Sequence, residues 1–242
     1  MTDFYKEKEI IRIENGKMKK TKDYIVIENF YKLIFNGEEI IEIAASPYKL
    51  EEMALGRIFV DGLIKNFSEI KEIKIDRENK VIKIKSSKRN NKNGLNNIDS
   101  DYFYENKLES DKIFKAVNQL STNSTIFKKT GGVHNGLLMD KDLNELAFRE
   151  DIARHNVVDK IIGYILQKDL RVDDKILVLS CRISTKIINK INSIGLKVVL
   201  SQSPPSLKAV QIAEDENITL IGFVRNKRMN IYSEVSRVIA NN

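Results

Sequence analysis

Apolar and polar residues alternate through much of the first third of the chain, and this period of two is typical of β-strands. The alternation predicts strands in five runs: 25–27, 31–35, 38–44, 70–75 and 81–85. Asn36-Gly37 separates the second run from the third and is a strong signal for a two-residue hairpin turn. Ser46-Pro47 has the capping chemistry of a helix start, and apolar residues at helical spacing continue to about Ile64.

A polar, asparagine-rich segment interrupts this pattern between Ser86 and about Ser110. Its apolar content is too low for packing, so we predict a mobile loop. The loop divides the predicted organisation into a small N-terminal α+β lobe over residues 1–110 and an α/β domain over residues 111–242.

The second part of the chain alternates helical and strand patterns. Ile113, Phe114, Val117 and Leu120 predict a first helix by their spacing, and Gly131-Gly132 marks a tight turn. A hairpin is predicted at 137–140 and 145–149. The later elements are predicted as helix 151–167, strand 175–179, helix 184–194, strand 197–200, helix 206–216 and strand 218–223. This order predicts an α/β fold whose parallel sheet is covered by helices on both faces.

Composition narrows the class of protein without assigning a function. The 242 residues carry a formal charge of +7, but the lysines are scattered, which favours a solvated surface over a nucleic-acid-binding face. No run approaches the roughly 18 apolar residues of a membrane span, and the first six residues lack the apolar core of a signal peptide. We therefore expect a cytoplasmic protein that binds neither nucleic acid nor membrane.

Cys181 is the only cysteine of the chain. A single thiol excludes an internal disulfide framework and a cysteine-rich zinc site, and it suits a reducing compartment. Cys181 follows a predicted strand beside Arg182, at a predicted helix N-terminus, and this setting lowers the pKa of a thiol. A nucleophilic Cys181 is therefore one interpretation, although an inert small residue packed at a tight turn is favoured.

Small polar residues and arginines follow three of the predicted parallel strands. The three segments are 180–184, which contains Arg182, 201–206, which contains Ser203, and 224–228. Ligands of open α/β sheets bind at the carboxyl ends of the strands, where hydroxyls, backbone N–H groups and guanidinium groups suit phosphates. Each serine alone is explained more simply as a helix N-cap. Three such segments at one edge predict a site for an anionic, nucleotide-like ligand.

Charged residues begin the apolar stripe of the helix predicted over residues 151–167. A helical wheel places Asp151 and His155 on the face of Val158, with Arg154 at its margin. Burying such groups is costly unless they are paired. The cluster is therefore either a satisfied structural network or a ligand site, and both interpretations remain open.

His134 and His155 are the two histidines of the chain. A histidine pair can in principle bind a metal ion, and His134 lies beside the turn at Gly131-Gly132. No HxE followed by PCxxC occurs in the sequence, so the signature of a zinc deaminase is absent. We predict no metal site.

Five ordered motifs over about residues 25–232 resemble the formate dehydrogenase accessory protein family, whose members are sulfur carriers. They are Ser46-Pro47 with Gly62-Leu63-Ile64, Thr130-Gly131-Gly132-Val133-His134, Arg149-Glu150-Asp151 with Arg154-His155-Asn156 and Asp159-Lys160, Ser203-Pro204-Pro205-Ser206-Leu207, and Gly222-Phe223-Val224-Arg225 with Arg228-Met229-Asn230-Ile231-Tyr232. Five motifs in order are far more specific than a single glycine turn.

The resemblance implies a cytidine-deaminase-like three-layer α/β/α sandwich, a homodimer, and a sulfurtransferase and chaperone role. In the family, sulfur from a cysteine desulfurase passes to bis-molybdopterin guanine dinucleotide, which carries Mo or W, before this cofactor enters formate dehydrogenase. The cofactor-binding motif of the family maps onto Phe223, Val224, Arg225, Asn226, Lys227 and Arg228. The expected cofactor-binding set also includes Gly131, Gly132, His134, Asp151, Arg154, His155, Arg182 and Ser203.

The sequence departs from the family at the cysteines that carry the sulfur. Family members have a CxxC motif in the loop ahead of the Gly-Gly-His turn, whereas residues 88–97 contain no cysteine. Hydroxyl and amide groups cannot form a persulfide. Cys181, which replaces the small residue of the family's Ser-Gly-Arg turn, is a weak candidate acceptor. Two functions remain open: an accessory protein that delivers cofactor with sulfur, and a cofactor-binding chaperone or nucleotide-binding module without sulfur transfer.

Overall fold

A computed structural model describes residues 4–87 and 107–240. The predicted mobile loop falls mainly on residues 88–106, which lie outside the described residues. The strands are β1 (Tyr5–Glu14), β2 (Lys17–Val26), β3 (Asn29–Phe35), β4 (Glu38–Ala45), β5 (Ile70–Asp76), β6 (Val81–Ser86), β7 (Leu108–Glu109), β8 (His134–Met139), β9 (Glu145–Asp151), β10 (Ile176–Leu179), β11 (Val198–Ser201), β12 (Thr219–Arg225), β13 (Arg228–Ser233) and β14 (Val238–Ile239). The helices are α1 (Leu50–Val60), α2 (Ser110–Asn123), α3 (Thr125–Thr130), α4 (Arg154–Gln167), α5 (Thr185–Ser193) and α6 (Leu207–Asp215), with short 3₁₀ turns at Phe67–Glu69 and Val235–Arg237.

The N-terminal part consists of a long hairpin and a mixed sheet with strand order β4-β3-β6-β5. The hairpin predicted at Asn36-Gly37 is confirmed, because β3 and β4 pair antiparallel across that turn. The two later strands of this part, β5 and β6, also agree with the sequence prediction. Sequence reasoning missed β1 and most of β2, although Asn15-Gly16 between them carries the same turn signal.

Helix α1 starts four residues after the predicted cap at Ser46. It begins at Leu50, and Lys49 before it has a left-handed backbone with φ 50°. Ser46 serves a tertiary contact instead: its backbone N–H donates to Asp151 Oδ2 at 3.2 Å, and its Oγ accepts from the N–H of Ile152 at 3.1 Å. A serine that looks like a helix cap in sequence therefore fastens the N-terminal sheet to β9.

The second part is built on a sheet with strand order β13-β12-β11-β10-β8-β9. β10, β11 and β12 are parallel, as predicted, and antiparallel strands extend the sheet on both sides. Leu177 and Leu179 face a core shared with α4, α5 and α6, whereas Ile176 and Val178 face a core shared with α2. Helices thus cover both faces, and the three-layer α/β/α sandwich is confirmed. The described helices are each too short or too polar to span a bilayer.

Helices α1 and α4 join the two parts at a close crossing. A Cβ on Gly56 of α1 would lie 2.0 Å from the carbonyl oxygen of Asp159, and one on Gly163 of α4 would lie 1.9 Å from that of Glu52. The missing side chains let the two backbones touch. Because of this contact, one apolar core runs from the N-terminal sheet to the main sheet.

Candidate functional site

The loops that follow β10, β11 and β12 meet at the carboxyl edge of the parallel strands. Ser203 Oγ donates to the carbonyl oxygen of Ser180 at 2.8 Å, and Ser201 Oγ donates to that of Cys181 at 2.8 Å. Ser206 caps α6, because its Oγ accepts from the N–H of Ala209. These hydroxyls hold neighbouring loops or helix ends in place. The serines therefore shape the edge, and the charges that a ligand would meet come from other residues.

The turn between β12 and β13 presents three exposed cations. Asn226 and Lys227 form the turn with φ 50° and 57°, so that Arg225 and Arg228 stand opposite each other. The side chains of Arg225, Lys227 and Arg228 are all exposed. Three of the residues expected to bind phosphate are thereby brought side by side.

Phe223 has a strained backbone just before this turn. Its φ of 53° falls where β12 and β13 lose their regular register, and bulky residues rarely adopt such a conformation. The Arg225 guanidinium carbon lies 5.6 Å from the centre of the Phe223 ring. Strain of this kind is concentrated at binding sites, where the surrounding structure holds it in place.

A cavity of about 490 Å³ separates the turn from α2. Val224, Arg225, Asn226 and Lys227 line it from the sheet, and Asp111, Phe114, Lys115, Val117 and Asn118 line it from the helix. We call this cavity the turn groove. Its walls combine apolar surface with cations, amides and a carboxylate. Sequence reasoning missed the residues on α2, because exposed polar positions on an amphipathic helix carry no signal that distinguishes a binding wall from a solvated face.

Arg154, at the start of α4, is the centre of a second group of expected residues. Its Nε is buried and has no hydrogen-bond partner among the described residues. Buried donors are nearly always satisfied, so this unpaired N–H makes Arg154 a candidate for contact with an anionic ligand. Burial and, next, the charge of Arg154 lower the pKa of His134. His134 is thus neutral at pH 7 and can both donate and accept a hydrogen bond.

The Gly131-Gly132 turn contributes close packing to this region, and the backbone N–H groups of both glycines are already used in hydrogen bonds. Its two N–H groups are used internally, by the carbonyl oxygen of Phe127 at 2.7 Å and by Thr130 Oγ1 at 3.1 Å. A Cβ on Gly132 would come within 2.8 Å of Val26 Cγ1. Gly132 therefore allows a close packing of this turn on β2.

Cys181 is not at a helix N-terminus, contrary to the sequence expectation. Helix α5 starts at Thr185, four residues later. The thiol is 2% exposed, and burial raises its pKa to about 11. Arg182 beside it is exposed. This environment keeps Cys181 protonated and favours the inert interpretation.

Asp151 is a structural residue at the end of β9, and the helix that was predicted to contain it begins only at Arg154. Its Oδ1 accepts from the N–H of Ala153 and from Asn156 Nδ2, each at 2.9 Å. Its Oδ2 accepts from Lys160 Nζ at 2.6 Å and from the N–H of Ser46. Four donors satisfy the carboxylate, so of the two interpretations the geometry favours the structural network.

The two residues before Asp151 also reach other elements. Arg149 forms a two-point ion pair with Glu52 of α1, and one of its two hydrogen bonds measures 2.7 Å. Glu150 accepts from the backbone N–H groups of Ile126 and Phe127 at the start of α3. Three consecutive residues thus hold three separate parts of the molecule.

His155 does not line the turn groove. It lines a different cavity, between α1, α4 and α5, together with Arg57 and Lys186. Burial first, and then nearby positive charges, lower its pKa to about 4. The structure therefore separates His155 from the turn groove. Across residues 4–87 and 107–240, no three side chains of His, Cys, Asp or Glu are grouped as a metal site.

Comparisons with known proteins agree on one family. The sequence model of the FdhD/NarQ family matches residues 26–239. Curated relatives include the sulfur carrier protein FdhD of Staphylococcus aureus strains MRSA252 and JH9, each 34% identical over 95% of this chain and 95% of its own. A candidate formate dehydrogenase accessory protein from Desulfotalea psychrophila has a solved structure that matches with a TM-score of 0.85, at 22% identity, covering 98% of this chain and 100% of its own. The last comparison shows a shared fold.

Proposed function

The chain belongs to the FdhD/NarQ family of sulfur carriers and formate dehydrogenase accessory proteins, and from this premise we propose that it binds bis-molybdopterin guanine dinucleotide as cargo for a formate dehydrogenase. The cargo carries Mo or W. The observation that supports cargo binding most directly is the turn groove, in which cations and apolar surface meet at the carboxyl edge of the sheet. From the family we also propose a homodimer in the cytoplasm.

The phosphates of the cargo would bind to the cations of the β12–β13 turn. Arg225 and Arg228 can each donate two parallel hydrogen bonds to phosphate oxygens, and Lys227 adds a mobile point charge. Lys115 faces the same groove from α2. The groove thus offers positive charge from both walls, which suits a pyrophosphate link.

The guanine base would bind against the apolar part of the same groove. Phe114, Val117 and Val224 supply surface on which a flat ring can pack. Asp111 supplies a carboxylate, which can accept two hydrogen bonds from the adjacent N–H groups of guanine. Adenine does not present that pair of donors, so the groove favours guanine.

Arg154 and His134 would hold a further anionic part of the cargo. The unsatisfied Nε of Arg154 needs an acceptor, and neutral His134 can supply or receive a proton in a hydrogen bond. Ser203 and Arg182 belong to the adjacent loops. In this arrangement Asp151 acts indirectly, because it fixes the start of α4.

Sulfur transfer from a cysteine desulfurase is the second function of the family, and the environment of Cys181 does not favour it in this chain. A persulfide forms on a thiolate, whereas the only thiol is buried with its pKa raised to about 11. We therefore propose cofactor binding and delivery, without a persulfide on this chain, as its contribution.

Calorimetric titration of the full chain with GDP tests the groove. We expect binding that the double change Arg225→Ala and Arg228→Ala weakens at least about tenfold, because two charge-assisted contacts are lost. The matched control removes two exposed lysines elsewhere, Lys168→Ala and Lys208→Ala, and should keep the affinity for GDP. Equal affinities for both double variants would contradict the assignment of the groove.

Complementation tests the accessory role. The chain is expressed in a strain that lacks its own accessory protein, and formate dehydrogenase activity is measured. We expect the wild type to restore activity and the Arg225→Ala, Arg228→Ala variant to restore much less. A chain that binds GDP and restores no activity would be a nucleotide-binding module without the accessory role.

A further inference from the structure

A second cavity, of about 380 Å³, lies between α1, α4 and α5. Arg57 and Asp61 line it from the end of α1, His155 lines it from α4, and Lys186 and Lys190 line it from α5. These helices pack on the face of the main sheet opposite α2, so this cavity and the turn groove open on different sides of the sheet. We call it the α5 pocket.

The charges around the α5 pocket are not balanced. Arg57 Nε pairs with Asp61 Oδ2 at 2.8 Å, and Lys190 pairs with the buried carboxylate of Asp159. Lys186 is exposed and has no ion-pair partner within the described residues. One positive charge therefore remains after both pairs are counted, and Arg57 keeps guanidinium N–H groups that Asp61 does not use.

The nearby positive charges add to the effect of burial on His155. Burial is the main cause that lowers its pKa to about 4, and Lys190, Arg154, Lys186 and Arg57 follow in that order. Asp61 and Asp159 are the carboxylates that face the same region, and they do not compensate these four cations. The imidazole is therefore neutral at pH 7.

His155 also has an unused polar atom. Its Nδ1 is buried and has no hydrogen-bond partner among the described residues. A buried ring nitrogen without a partner is unfavourable, and such a group in a native structure calls for a partner such as an ordered water or an ion. The lining of the pocket and its excess positive charge thus both indicate an anionic ligand.

We propose that the α5 pocket is a second anion site, which binds a phosphate-bearing anion of about the size of pyrophosphate independently of the cargo groove. The anion would balance Lys186, accept from the free N–H groups of Arg57 and lie against the imidazole of His155, which lines the pocket. An anion near the imidazole favours its protonated form. Binding therefore raises the pKa of His155 and becomes tighter as the pH falls toward 5.

Proton NMR of the imidazole signals tests this site, because the chain has only two histidines. The variant His134→Gln assigns the His155 signal, and inorganic pyrophosphate is the probe. We expect the pKa of His155 to rise from about 4 toward its ordinary value of 6.5 when pyrophosphate is present at millimolar concentration. An unchanged His155 titration would overturn the proposal.

A matched pair of lysine changes tests the specificity. Lys186 is the second residue of α5, and Lys208 is the second residue of α6 and lies outside the pocket. We expect Lys186→Ala to weaken the effect of pyrophosphate on His155 about fivefold or more, and Lys208→Ala to leave it unchanged. Equal effects of the two changes would show general charge screening and would refute the site.

The double change Arg225→Ala and Arg228→Ala separates this site from the proposed function. We expect the double variant to keep the response of His155 to pyrophosphate while its GDP binding is weakened. Loss of the His155 response in this variant would contradict an independent site. Failure of GDP binding alone would concern the turn groove and leave the α5 pocket supported.

Discussion

Lys160 donates a hydrogen bond of 2.6 Å to Asp151 at a place where neither side chain has exposed surface. Removing one partner leaves the other charge buried without compensation. We expect Asp151→Ala to lower the free energy of unfolding by about 3–5 kcal/mol, measured by urea denaturation. The matched comparison is Glu7→Ala, which removes the partner of Lys22 in an exposed pair and should leave stability nearly unchanged. A similar small effect for Asp151→Ala would show that Lys160 finds another solution, such as losing its proton.

The close crossing of α1 and α4 leads to a second prediction, which concerns the stability of glycine variants. Gly56→Ala and Gly163→Ala each place a Cβ far inside van der Waals contact with a carbonyl oxygen of the other helix, at 2.0 and 1.9 Å, so the helices must move apart. We expect each change to cost about 3 kcal/mol or more of unfolding free energy, because the shared core is opened. Gly16→Ala is the comparison. No atom lies within 4 Å of its added Cβ, so only its backbone φ of 75° opposes the change, at about 1 kcal/mol. Equal costs at all three positions would argue against the close crossing.

The pKa of His155 predicts how stability depends on pH. The folded state holds the pKa at about 4, below the ordinary 6.5, so between these values the unfolded chain binds more protons than the native chain. Stability should therefore rise from pH 4 to 6.5 and fall on acidification through that range. We expect His155→Gln to have a shallower pH dependence there than the wild type, measured by thermal unfolding at several pH values. The Lys208→Ala variant should keep the wild-type slope, and an equally steep slope in His155→Gln would exclude His155 as its cause.

The buried thiol predicts the chemical reactivity of Cys181. Raising its pKa from 9.0 to about 11 lowers the thiolate fraction at pH 7 about 100-fold, and burial restricts access further. We expect the native protein to react with a disulfide reagent at least about 100-fold more slowly than the urea-unfolded chain. Cys181→Ala should also retain full complementation of formate dehydrogenase activity. Rapid modification together with loss of complementation would make Cys181 a sulfur acceptor after all.

The main sheet was predictable because its central strands have a local sequence pattern that identifies them as strands. Parallel strands buried on both faces are continuous apolar runs, as in Ile176–Leu179 and Val198–Ser201, and loops with glycine or serine bound them. The helices that cover the sheet were predictable too, because helix propensity and the spacing of apolar residues are also local signals. The positions of the cations Arg225 and Arg228 at the carboxyl edge then followed from topology alone.

The partners of the buried charges were not predictable from the sequence. Arg149 pairs with Glu52, 97 positions earlier, and Ser46 meets Asp151 across 105 positions. A local pattern cannot distinguish a serine that caps a helix from one that binds a distant strand. The helical wheel failed at Asp151 for a related reason, because the predicted helix was extended back into the last residue of β9. The α5 pocket also escaped prediction, since it needs three helices to meet.

The long-range contacts of Arg149, Glu150 and Asp151 have a consequence for folding during synthesis on the ribosome. Glu52 and the Ser46 backbone leave the exit tunnel about 100 residues before the strand that completes them. During that interval the α1 surface lacks both α4 and the guanidinium of Arg149. The first third of the nascent chain therefore cannot complete its packing until β9 and α4 emerge. Until then it is accessible to proteases and chaperones. Slowing translation before β9 and α4 have left the tunnel should lengthen that exposure, whereas slowing it after they have emerged should not.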